Sequence, residues 1–196
     1  MRRSLLVIAI VLTHPANASA LDFQTAHRCI TDSSPSMEAL VKDCTTVINS
    51  KYATETMHSI AYVNRGQAYI HQGKFDSAIE DFSQAIARSR SAIAFNGRGI
   101  AYLKKGALDR AMPDFDEALK IKPDFVNGLI MRGLANAQRA DYAGALRDLD
   151  YAVKLNPKRA DTLYSRSLVK REQGDATGAD QDLAIARSIN PDIGKR

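Results

Sequence analysis

The sequence has no apolar run approaching the ~20 residues that a bilayer-spanning helix needs. Its unbroken run from Leu5 to Leu12 is eight residues, so no stable membrane insertion is expected. The motifs that announce catalysis are also missing. Beyond residue 20 the histidines are His27, His58 and His71, and they show no metal-ligand spacing such as HExxH. No glycine-rich phosphate loop follows a strand, and no strand pattern is present. The two cysteines, Cys29 and Cys44, lack a CxxC spacing and have no nearby third ligand. No catalytic, cofactor or metal site is therefore expected, and the chain is not expected to be an enzyme. Charge is balanced: 25 basic and 22 acidic residues follow residue 20, a net +3. The basic residues are not gathered into the stripe that nucleic acid requires. No Pro-rich or Ser/Gly-rich linker divides the chain, which implies one continuous domain.

What is present begins with a leader. Arg2 and Arg3 precede the apolar run, and Ala18-Ser19-Ala20 follows it as a small-x-small cleavage signal. This order reads as a secretory signal peptide over residues 1–20, with the mature chain starting near Leu21. No cysteine follows the cleavage site, so a lipid-modified N-terminus is not expected. The expected location is periplasmic or secreted. An exported protein meets an oxidising compartment, so Cys29 and Cys44 read as a disulfide. Closing a loop of this size is worth on the order of 3 kcal/mol in the chain-entropy model.

The rest is repetition. Arg65-Gly66-Gln67-Ala68-Tyr69, followed by Ala78, Asp81-Phe82 and Ala85, returns as Arg98-Gly99-Ile100-Ala101-Tyr102, Ala111, Asp114-Phe115 and Ala118. It returns again at Arg132-Gly133, Ala145, Asp148-Leu149 and Ala152, and more weakly at Arg166-Ser167, Ala179, Asp182-Leu183 and Ala186. The offsets are 33, 34 and 34 residues, the mark of stacked repeats. Apolar residues at helical period predict two helices per copy, the first beginning near Ser59 in the first clear copy. Gly73, Gly106 and Gly174 mark the turn between them. Ala140 stands there in the third copy, which predicts a turn that avoids the glycine-favouring conformation. Pro123, Pro157 and Pro191 close the second helices. Gly66, Gly99 and Gly133 lie mid-helix, where glycine costs roughly 1 kcal/mol relative to alanine; close approach of the paired helix would offset that cost.

These residues resemble the tetratricopeptide repeat (TPR) family. Tyr62, Phe95, Leu129 and Leu163 stand at its bulky position, and Tyr69 and Tyr102 match its tyrosine. Asn136, Lys170 and Ser167 depart from the pattern. The resemblance implies an all-α, right-handed α-solenoid of antiparallel helix pairs. Four clear repeats are expected at 59–91, 92–125, 126–159 and 160–193. A degenerate N-terminal cap pair is expected over 21–58, with Phe23 to Thr31 as its first helix and Ser36 capping the second.

The family's groove commonly holds a peptide or an extended protein segment. Its contact positions fall on Val63, Asn64 and Gln67, on Asn96, Ile100 and Leu103, and on Asn127, Ile130, Met131 and Leu134. The lysines and arginines of the carboxylate clamp are absent. The resemblance thus implies a non-catalytic scaffold with a protein or peptide partner, and the leader places that expectation in the cell envelope. The alternatives are an accessory subunit of an envelope enzyme or secretion complex, or a carrier of a small ligand. In the last helix Leu183, Ile185 and Ile189 have no following helix to cover them, so homodimerisation through that end is a further expectation.

Beyond the family pattern, Arg65 and Asp81, Arg98 and Asp114, Arg132 and Asp148, and Arg166 and Asp182 are each sixteen apart, as are His27 and Asp43 in the cap. Each is expected to pair across its two helices. Pro113, inside a second helix, removes a bond to the carbonyl of Asp109 and predicts a bend or a late helix start.

Overall fold

The computed structural model describes residues 21–195, so the leader lies outside the described residues. Among the described residues ten helices follow one another: α1 (Phe23–Ile30), α2 (Met37–Ile48), α3 (Glu55–His71), α4 (Phe75–Arg88), α5 (Ala92–Lys104), α6 (Leu108–Ile121), α7 (Val126–Gln138), α8 (Tyr142–Leu155), α9 (Ala160–Gln173) and α10 (Ala176–Ile189). No strand occurs among the described residues. Each helix packs on the next. The odd helices also touch one another in series, α1–α3, α3–α5, α5–α7 and α7–α9, whereas among the described residues no even helix touches another. Stacked pairs that close up on one side and splay on the other curve into a right-handed solenoid, with the odd helices lining the inner face.

Local chemistry starts these helices. Asp22, Ser36, Thr54 and Ser91 accept bonds from backbone N–H groups of the first turns of α1, α2, α3 and α5. Asp141 and Asp175 do the same for α8 and α10. Such caps satisfy donors that a helix leaves unpaired. The Thr54 cap begins α3 at Glu55, four residues before the Ser59 start read from periodicity.

The turn between paired helices is left-handed at Gly73, Gly106 and Gly174, with φ of +72°, +74° and +97°. Ala140 takes the same conformation, φ +59°, contrary to expectation. The 34-residue spacing leaves that turn no other path, so the alanine bears the left-handed cost of roughly 1–2 kcal/mol. Ala140→Gly is expected to raise stability by about 0.5–1 kcal/mol, measured as the shift in urea midpoint. An unchanged midpoint would contradict this account.

The core lies between the helices of each pair and at their junctions. Phe82, Phe115 and Leu149 are fully buried beside the fully buried Ala78, Ala111 and Ala145. A Cβ on Gly99 would stand 2.6 Å from the Phe115 ring, and one on Gly133 would stand 3.0 Å from Leu149 Cγ. Ser167 fits the glycine position in the last copy because its hydroxyl donates to the Tyr164 carbonyl at 2.7 Å. Helix α6 starts at Leu108 and runs through Pro113, so no late start occurs.

All four expected arginine–aspartate pairs form, each with two hydrogen bonds. Nε and Nη2 donate to the two carboxylate oxygens at 2.6–2.8 Å. In the cap the partner of Asp43 is Arg28, at 2.7 and 3.0 Å, not His27. His27 is exposed and stacks on Phe23. Helix α1 ends two residues after Arg28, whereas α3 ends six residues after Arg65, and the six-residue connection that follows α1 brings the spacing to fifteen. That brings a forked guanidinium onto the carboxylate, which one imidazole cannot match. Cys29 and Cys44 are fully buried in the cap with Cα atoms 5.0 Å apart.

Candidate binding groove

The inner face is built from one stripe of each odd helix. The opposite stripe is committed to the core, so residues three and four apart on the free stripe face the concavity together. Two cavities open along it. The first, of about 470 Å³, is walled by Ile60, Val63, Asn64 and Gln67 of α3, by Ile93 at the start of α5, and by Arg88 and Ser89. The second, of about 830 Å³, is floored by Ile100 and Leu103 of α5, Met131, Leu134 and Ala137 of α7, and Leu168 and Val169 of α9. Tyr142 of α8 closes one side of it.

Seven of the ten residues implied by the repeat register line these cavities: Val63, Asn64 and Gln67 the first, and Ile100, Leu103, Met131 and Leu134 the second. Asn64 also has a structural duty. Its side-chain nitrogen donates to the carbonyls of Cys29 at 2.6 Å and Ile30 at 3.4 Å, tying the end of α1 to α3. Three residues lie elsewhere. Ile130 is core, packed with Leu129 and Leu149. Asn96 is buried, and its Oδ1 has no hydrogen-bond partner among the described residues. Asn127 is exposed and lines neither cavity.

The wall residues missed from the sequence were partly readable. Leu168 stands 34 residues after Leu134, itself 34 after Ile100, so its place follows from the register. It was hidden because the last copy departs from the family pattern nearby. Tyr142 belongs to a second helix and could be placed only by the packing of α8 against α7.

Charge on this face is sparse. Lys104, Gln138 and Glu172 occupy one repeat position in successive copies and edge the second cavity. Arg88 and Glu55 edge the first and pair at 3.5 Å. An apolar floor with few polar groups can bury side chains of an extended segment while leaving its backbone near amide donors and acceptors. Hydrolytic or redox work needs converging groups. The three histidines among the described residues sit apart: His27 and His71 are exposed, and His58 faces the Ser50 carbonyl at 3.2 Å. Among the described residues no cluster of three or more His, Cys, Asp or Glu could hold a metal ion.

The sequence pattern described as tetratricopeptide repeat matches residues 63–124 and 130–192. A search of curated protein sequences gives no match. Several solved structures share the architecture. TTC0263, a thermophilic TPR protein from Thermus thermophilus, superposes with a TM-score of 0.69 at 17% identity, covering 80% of this chain and 84% of its own. MamA from Desulfovibrio magneticus RS-1 gives 0.67 at 14%, covering 89% and 99%. YrrB, described as a TPR protein with an unusual peptide-binding site, gives 0.60 at 18%, covering 80% and 79%. At these identities the likeness is one of fold.

Proposed function

Because this chain belongs to the tetratricopeptide repeat family, whose folds are protein–protein interaction modules, we propose that it is a non-catalytic scaffold of the cell envelope that grips a partner segment in its concave groove. The observation that carries this reading is the pair of apolar cavities on one face, the second of them walled by Ile100, Leu134 and Leu168 at one register position of three successive repeats. YrrB, with its peptide-binding site, offers a parallel on the same fold. The envelope location rests on the basic-apolar-small order of residues 1–20. In that compartment the buried Cys29 and Cys44 form a disulfide that staples α1 to α2 within the core they share with Ala26, Leu40 and Val47.

Cross-linking in intact cells, followed by capture of the protein, tests the groove. Met131→Glu with Leu168→Glu places two charges in the second cavity, and Leu168 is 43% exposed, so the fold should tolerate its change. A partner captured by the native protein should be lost at least tenfold in the variant, since an unpaired buried charge costs ~2 kcal/mol or more. Equal capture by a folded variant would remove the groove as the binding site. A small molecule found in the native protein by mass spectrometry, and absent from the variant, would favour the carrier reading.

A further inference from the structure

Apart from Phe23, Met37 and the groove residues Ile93 and Leu168, the exposed large apolar side chains among the described residues gather on one edge. The connections that lead from each even helix to the next odd helix all lie on one edge of the solenoid, because the paired helices are antiparallel. Ile121, Leu155 and Ile189 end α6, α8 and α10 on that edge, one per repeat at a spacing of 34 residues. They are 42%, 38% and 42% exposed. One helical turn earlier, Tyr151 and Ile185 extend the row; Arg88 holds the corresponding position at the end of α4, so the row spans the last three repeats, and Tyr52 is exposed apart from it in the connection from α2 to α3. Isolated exposed aliphatics need no explanation, but a periodic row on one edge does.

The same edge carries the positive charge of the molecule. Residues 120–124, 154–159 and 187–195 hold seven basic and two acidic side chains, while residues 21–196 as a whole are only +3. Of these, Arg159 is neutralised by Asp161, and Lys195 pairs with Asp192. Lys120 and Arg90 share Glu117. Lys122, Lys154 and Lys158 stand beside the aliphatic row, and Asp124 is the acid among them. Lys51 lies over the Tyr52 ring at 5.1 Å.

We propose that this edge is an adsorption surface for an anionic phospholipid bilayer. Aliphatic tips dip below the headgroups while the flanking lysines and arginines meet lipid phosphates, the division of labour of peripheral membrane surfaces. The chemistry disfavours a second copy, since two such edges would set lysine against lysine. It disfavours nucleic acid, which offers nothing to the aliphatic row. The C-terminal end of the stack is unlike it. On α10, Asp180 and Arg187 replace the apolar Ile79, Met112, Leu146 and Ile86, Leu119, Val153 that face the next repeat earlier in the chain. Adsorption does not require spanning: among the described residues no helix is long and apolar enough to cross a membrane. An edge held to the membrane sets the first cavity, whose wall includes Arg88 and Ser89 at the α4–α5 connection, beside the bilayer and leaves the second, toward the opposite ends of α5, α7 and α9, open for a partner.

Vesicle co-sedimentation tests the idea in the full chain and in the form beginning at Leu21. Both should bind phosphatidylglycerol vesicles, bind phosphatidylcholine vesicles far less, and release as salt rises. The triple variant Ile121→Ser, Leu155→Ser, Ile189→Ser should weaken binding about tenfold or more. The triple variant Lys122→Glu, Lys154→Glu, Lys158→Glu should abolish the preference for anionic lipid. All substituted side chains are solvent-facing, so circular dichroism should show intact helices. Met131→Glu with Leu168→Glu should leave vesicle binding unchanged, which separates this surface from the groove. The proposal is overturned if the Leu21 form does not bind, if either edge variant binds like the native protein, or if a purified acidic protein and not the vesicle occupies the edge.

Discussion

Phe82→Ala is expected to cost about 3–5 kcal/mol, the range for deleting a fully buried aromatic side chain. Its ring is wedged between two helices of different repeats. A Cβ on Gly66, in its own repeat, would stand 3.1 Å from the ring, and one on Gly97, in the next, would stand 2.4 Å away. The ring therefore joins α3, α4 and α5 in one contact. Losing it opens a cavity and uncouples two neighbours of a nearly one-dimensional stack. Urea unfolding followed by circular dichroism should show a lower midpoint and a broader transition, because the N-terminal pairs would melt apart from the rest. Gly97→Ala approaches the same contact from the other side and should cost about 1–3 kcal/mol by overpacking. A loss under ~1 kcal/mol for Phe82→Ala would show that the neighbours collapse onto the site.

Asp114→Ala is expected to cost about 2–3 kcal/mol. Removing one member of a buried pair leaves the other charge uncompensated, typically at 3–5 kcal/mol; here the Arg98 side chain keeps 22% of its surface, which lowers the figure. The arginines do more than pair within repeats. The Nη1 groups of Arg65, Arg98, Arg132 and Arg166 reach back to Thr45, Ser83, Asp116 and Asp150 on the preceding even helix, at 2.8–3.1 Å. Each acceptor lies two residues after that repeat's paired aspartate. Every arginine thus binds its own repeat and the one before it, which sets the angle between them. Arg98→Leu combined with Asp114→Leu should cost far less than Asp114→Ala alone, since no orphaned charge remains. A double variant as unstable as the single one would mean that the ladder itself, not charge compensation, holds the junction.

The pairs also differ in their response to acid. The Arg28 guanidinium and the Ser34 hydroxyl hold the Asp43 carboxyl below its usual range against the effect of burial. Burial pushes the Asp182 carboxyl up, but Arg166 and Lys170 together outweigh it and hold it low. Stability from such groups is present above the unfolded value, near 3.8, and is lost as pH falls through the depressed folded value. Burial pushes the Asp81 carboxyl up, and Arg65 only partly offsets it. Its sign is opposite: its contribution is largest at low pH and declines as pH rises through the folded value. Hydrogen exchange in acid should therefore show α1–α2 and α9–α10 loosening before α3–α4. Uniform loosening along the stack would contradict these assignments.

The repeat period, the helix pairs and four of the five arginine–aspartate pairs were legible in the sequence because each is a local pattern copied at fixed offset. Copying averages out the ambiguity of any single stretch. Where a copy was irregular the reading slipped. His27 stood in the register of the arginines, but the α1–α2 connection shifted the pairing to Arg28. Ala140 argued against a left-handed turn, yet the neighbouring helices imposed one. Asn96 and Ile130 shared the periodicity of the groove residues and were drawn inward, since a one-position rotation of a helix decides between wall and core.

What the sequence by itself determined is the unit and its stacking: a 34-residue helix pair cannot bury its apolar face alone, so copies must stack. Tertiary structure alone decided which residues face outward. Whether Ile130 and Asn96 are core or groove, and whether Ile121, Leu155 and Ile189 stand exposed on one edge, depends on how neighbouring helices rotate and close on one another. That rotation is set by contacts such as Phe82 on Gly97 between residues 15 apart, which no local pattern contains.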